Sequence, residues 1–125
     1  MKITTFNPLI ITQDPDSAIK LFEEMGFERH HKKEGIGENK TTDVRMKHPD
    51  GFYVDVARGE DEYTMIRINV DDFDEAIEFL LAHGCRKPMH ERASKTVDTG
   101  SSKFTILVGP SGFLLEISQH IKNND

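Results

Sequence analysis

A chain of 125 residues, 36% hydrophobic and 30% charged, has the size and composition of one soluble domain with a core of its own. The formal charge of -6 argues against a general nucleic-acid surface, and no apolar run is long enough for a membrane span or a signal peptide. With Cys85 as its single cysteine the chain cannot form an intrachain disulfide, so a reducing cytosol is the expected compartment and Cys85 reads as a small buried residue.

The chain opens with a strand. Asp14 then has the chemistry of a helix cap, with Pro15 at the first helical position. Ala18, Ile19, Phe22 and Met25 form an apolar stripe at helical spacing, and Gly26 can end the helix in a left-handed turn. Three strands are predicted to follow, over roughly 27–33, 41–48 and 51–58. "GIGENK" between the first two lacks the third glycine of a dinucleotide fingerprint and reads as a hairpin loop. A second opening strand carries Met65, Arg67 and Asn69 on one face, and Ile66, Ile68 and Val70 on the other. Asp71 or Asp72 caps a second helix with Phe73, Ala76, Ile77 and Leu80 as its stripe, and Gly84 ends it. Further strands are predicted over roughly 85–91, 103–109 and 112–119, with the polar stretch "ERASKTVDTGSSK" as a long loop.

These elements repeat. "ITQDPDSAIKLFEEMGF" aligns with "NVDDFDEAIEFLLAHGC", placing Asp14 on Asp72, Ala18 on Ala76, Ile19 on Ile77 and Gly26 on Gly84. "HPDGFYVDV" likewise aligns with "GPSGFLLEI", placing Pro49 on Pro110, Gly51 on Gly112 and Asp55 on Glu116. The chain thus reads as one domain over 1–125, made of a β-α-β-β-β module over 1–60 and a second over 61–125. In the last strands Phe52, Val54 and Val56 share one face, as do Phe113, Leu115 and Ile117, and these apolar faces should pack under the helices. Tyr53, Asp55 and Ala57, and Leu114, Glu116 and Ser118, should line something else, such as a cleft.

Two such modules, each with a strand-Asp-helix-Gly opening and a closing Pro-x-Gly phrase that ends in an acid, resemble the vicinal oxygen chelate superfamily. This family includes glyoxalase I, bleomycin- and fosfomycin-resistance proteins, methylmalonyl-CoA epimerase and extradiol dioxygenases. The resemblance covers nearly the whole chain. It implies an α+β fold in which the two βαβββ modules form curved mixed sheets around a cleft, and it implies a homodimer. Metal-dependent members take ligands from the first and last strand of each unit. Those positions here are Asn7 and Met65, then Asp55 and Glu116. Family enzymes usually carry His, Gln or Glu at the first-strand positions, where this chain has an amide and a thioether. Two carboxylates and one amide oxygen suit a weakly bound Mg²⁺, Mn²⁺ or Ca²⁺ rather than zinc or nickel.

Asp55 and Glu116 therefore have two readings. They are metal or ligand groups, or they are polar lining neutralised by Arg67 or by protons. None of the six histidines completes a ligand set: His30 and His31 point to opposite faces of a predicted strand, and His120 would lie about 13 Å along the strand from Glu116. The expected ligand cleft is lined by Asn7, Tyr53, Asp55, Met65, Arg67, Leu114 and Glu116. The function expected is binding of a small molecule, cationic by the acidic balance, as in resistance-type binders, with no required cofactor beyond a loosely held divalent cation. The alternative is a metal-dependent glyoxalase-like lyase or isomerase.

Overall fold

The computed structural model describes residues 1–36, 41–89 and 95–120. In chain order the elements are β1 (Ile3–Thr12), α1 (Pro15–Glu24), β2 (Glu28–Ile36), β3 (Thr41–Lys47), β4 (Tyr53–Arg58), β5 (Tyr63–Val70), α2 (Phe73–Ala82), β6 (Val97–Asp98), β7 (Ser102–Val108) and β8 (Leu114–His120). They form an α+β fold of mixed sheets. Two compact units emerge, one of residues Asn7–Met65 and one of Met1–Phe6 with Ile66–Asp125.

In the unit Asn7–Met65 the strand order is β2-β3-β4-β1, with β1 parallel to β4 and the other pairs antiparallel. Helix α1 starts as its sequence directs. Asp14 accepts hydrogen bonds from the Ser17 N–H (3.2 Å) and hydroxyl (2.6 Å), which hold its carboxyl below the usual carboxylate range. Ile19 packs on Val44, Met46, Val54 and Val56, with Ile10, Phe22 and Phe27 closing the cluster. Each aliphatic side chain buried in this way contributes about 1.5–3 kcal/mol. Met25, expected in the helix stripe, is instead exposed, because the helix has reached its C-cap there and turns off the sheet at Gly26.

The other unit runs β5-β8-β7-β6, with β5 parallel to β8. Asp72 is the helix cap, accepting from the Glu75 N–H at 3.1 Å. Phe73 and Ala76 bury against Ile68, Val70, Leu107, Leu115 and Ile117, and Cys85 lies in the same core. The start of β1 belongs here through Lys2, whose N–H donates to Asp71 at 2.6 Å, and through Thr5, which accepts from Asn69. The strand expected over 85–91 is, among the described residues, a single bridge between Arg86 and Val108. Pro88 has no N–H for the next rung of that ladder, so pairing stops. Residues 90–94, and residues 37–40 of the expected hairpin loop, lie outside the described residues.

The repeated phrases build the same hairpin turn twice. The Gly51 N–H donates to His48 O (2.8 Å) and the His48 N–H to Phe52 O (2.8 Å); Gly112 and Gly109 repeat this with Gly109 O (2.9 Å) and Phe113 O (2.7 Å). Gly51 (φ 99°) and Gly112 (φ 102°) sit in the left-handed region that such turns require at their last residue. A Cβ at either position would meet nothing within 4 Å, so its cost is backbone strain alone. Gly51→Ala and Gly112→Ala should each lower the unfolding free energy by about 1–2 kcal/mol, with Asn less costly than Ala, as measured by urea melts.

The turns also correct one expectation. Phe52 and Phe113 do not join the apolar faces under the helices; they are 61% and 45% exposed. Each stands one residue before its strand and covers the turn instead. Phe52 lies against His48 (ring centroids 5.6 Å apart), and Phe113 lies over Gly109, whose missing side chain leaves it room.

Candidate functional site

The last strand of each unit holds its acid on the face away from the helix. In the unit Asn7–Met65, Val54 and Val56 enter the core, and Asp55 between them faces the other way. Its carboxylate is fully buried. The antiparallel neighbour β3 places Arg45 directly opposite. The guanidinium closes on the carboxylate through both edges, Nε to Oδ1 at 2.9 Å and Nη2 to Oδ2 at 2.8 Å. This is the bidentate geometry that makes arginine–carboxylate pairs strong and directional. Nη2 also donates to Asn7 Oδ1 at 3.3 Å, and the Asn7 amide nitrogen donates to Pro8 O at 2.9 Å. Tyr53 flanks the pair, with the Arg45 guanidinium 5.4 Å and the Lys47 ammonium 5.6 Å from its ring centroid.

In the other unit Glu116 occupies the equivalent position between Leu115 and Ile117. Here the arginine comes from the parallel neighbour: Arg67 on β5 is in register with Glu116. Its Nε donates to Oε1 at 2.7 Å and its Nη2 to Oε2 at 3.3 Å. Both side chains are largely buried, at 13% and 8% exposure. Leu114 lies two residues before Glu116 on the same face, half-buried. Further along, Ser118 donates to Asn69.

Of the expected residues, the structure brings Asn7, Tyr53 and Asp55 together in one unit and pairs Arg67 with Glu116 in the other. Met65 is buried at 2% exposure. Arg45 joins this group from β3 as a candidate site residue outside the expected set. The signal was present: a hairpin that closes at His48 and Phe52 must set residue 45 against residue 55.

These donors do not fit a divalent metal. All four carboxylate oxygens of Asp55 and Glu116 accept from a guanidinium, and the Asn7 amide oxygen does the same. Among the described residues no buried side-chain oxygen or nitrogen lacks a hydrogen-bond partner, and no three His, Cys, Asp or Glu side chains converge as a ligand set. A cation entering either position would meet a fixed positive charge at contact distance.

No protein-family model matches the chain, and no curated protein matches its sequence. Solved structures do match. Methylmalonyl-CoA epimerase from Mycobacterium tuberculosis superposes with a TM-score of 0.66 at 17% identity, over 96% of this chain and 90% of that one. Glyoxalase I from Zea mays gives 0.63 at 15% identity, over 98% of this chain and 45% of that one. A glyoxalase/bleomycin resistance protein/dioxygenase superfamily member from Vibrio splendidus gives 0.58 at 14%, over 94% and 99%. At these identities the likeness is one of fold, and the β-α-β-β-β order written twice in this chain is the fold of the glyoxalase/bleomycin resistance/dioxygenase, or vicinal oxygen chelate, superfamily.

Proposed function

We propose that this protein binds a small molecule on the polar faces of its strands and carries out no metal-dependent chemistry. One observation carries the reading: the acid at the last-strand position of each unit is taken up by an arginine on both of its oxygens. A carboxylate so held is a poor ligand, since ligation requires it to give up a charge-assisted hydrogen bond. Tyr53 and Arg45 in one unit, and Leu114 and Arg67 in the other, remain as ligand contacts, each an apolar side chain beside a placed polar group. The cationic ligand expected from the overall charge loses its main support, because the two acids that would attract it are already neutralised. A neutral ligand fits the local charge better.

An epimerase or lyase activity, which the names of the structural neighbours suggest, is the second reading, and metal content separates the two. Protein purified without added metal should carry far less than one equivalent of zinc, nickel or iron by elemental analysis, and a ligand screen by thermal shift should return metal-independent hits. Tight stoichiometric zinc or nickel that is lost on Asp55→Ala or Glu116→Ala would overturn the binding reading in favour of the enzyme.

A further inference from the structure

We infer that Arg45 and Arg67 are built-in cations, each holding the buried acid of its own unit in the way a bound metal ion otherwise would. The inference rests on the reading above and gives it a cause. In the unit Asn7–Met65 the Arg45 Nη2 atom lies between Asn7 Oδ1 (3.3 Å) and Asp55 Oδ2 (2.8 Å), one atom from the first strand and one from the last. A single positive group thus bridges a polar atom of the first strand and a carboxylate of the last, the link that an ion between them would otherwise make.

The repeat supplies the second argument. If the arginines were inherited with the repeated unit, they would stand at equivalent places. They do not. The residue opposite Glu116 on its antiparallel neighbour, where Arg45 stands opposite Asp55, is Ile106. The residue beside Asp55 on its parallel neighbour, where Arg67 stands beside Glu116, is Leu9. Each acid is therefore neutralised from a different side, by a residue that its counterpart unit lacks. Two separate solutions to one electrostatic problem indicate that the problem is real: a carboxylate buried at this position requires a cation, and this chain supplies one covalently.

The test removes the arginine and asks whether an ion takes its place. Mn²⁺ is titrated into wild type, Arg45→Gln, Arg67→Gln and the double variant Arg45→Gln/Asp55→Asn, with bound ion read by electron paramagnetic resonance. Wild type should show no binding that depends on Asp55 or Glu116. Each single arginine variant should gain Mn²⁺ affinity on the order of tenfold or more, because a unit positive charge at contact distance is gone, and the double variant should lose that gain. Should a single variant prove too unstable to titrate, its melting temperature is followed instead, and Mn²⁺ should raise it while leaving wild type unmoved. Folded arginine variants that bind Mn²⁺ no better than wild type, or unstable ones that Mn²⁺ does not stabilise, would overturn the inference and leave the binding reading intact. Mn²⁺ bound by wild type and lost in Asp55→Asn would also overturn it. Only tight transition metal in the untreated wild type overturns the binding reading itself.

Discussion

Arg45→Met should lower the unfolding free energy by about 3–5 kcal/mol, which makes Arg45 one of the most sensitive positions in the chain although it lies outside both cores. Its partner Asp55 has no exposed side-chain surface, while the Arg45 side chain is 20% exposed. Truncating the arginine strips two charge-assisted hydrogen bonds from a carboxylate that water does not reach, and it also takes a donor from Asn7. Replacing both partners is a different experiment. In Arg45→Met/Asp55→Leu no charge remains to be buried, and most of the loss should be recovered, since apolar residues of similar volume are commonly as stable as the ion pair they replace. Urea melts of the two single variants and the double variant, compared at constant slope, give the coupling directly. A loss below about 1 kcal/mol for Arg45→Met would mean that the pair behaves as a surface salt bridge. The charge-neutralised reading of the site would then fail.

The second large effect belongs to Ile117. It is fully buried on β8, between Ile68 of β5 and Thr105 of β7, within the core that α2 covers. Ile117→Ala should cost about 2–5 kcal/mol and Ile117→Val about 0.5–1.5 kcal/mol, because the surrounding strands cannot move in to fill the space. The neighbouring Glu116 makes this a test of register as well as packing. If β8 were shifted by one residue, Ile117 would lie on the polar face and the alanine variant would lose little. The same denaturation series with hydrogen exchange would show the loss in the unit that contains β8.

How much of this was legible beforehand follows the range of the interactions. The two helices, their Asp14 and Asp72 caps and their closing glycines depend on neighbours within one turn, so they can be read from the residues alone. The direction in which Asp55 and Glu116 point depends only on the two-residue period of a strand, and the repeated Pro-x-Gly-Phe phrases depend on one hairpin turn each. Among the described residues of the strand expected at 85–91, pairing stops after Arg86 for an equally local reason, Pro88. The neutralisation of the acids lies beyond that range. Arg45 meets Asp55 through a hairpin register that residue spacing could have supplied. The pairing of Arg67 with Glu116 joins the first and last strands of a unit, 49 residues apart, with no turn between them to set the register. Only the folding of α2 onto the sheet, which aligns β5 in parallel with β8, decides that a guanidinium closes on that carboxylate. The sequence by itself therefore determined the helices with their caps, the alternation of the last strands and the placing of an acid on each. Tertiary structure alone decided that those acids are spent on arginines, because the choice between ion pair and ligand site depends on which charge an unlinked strand brings within contact distance.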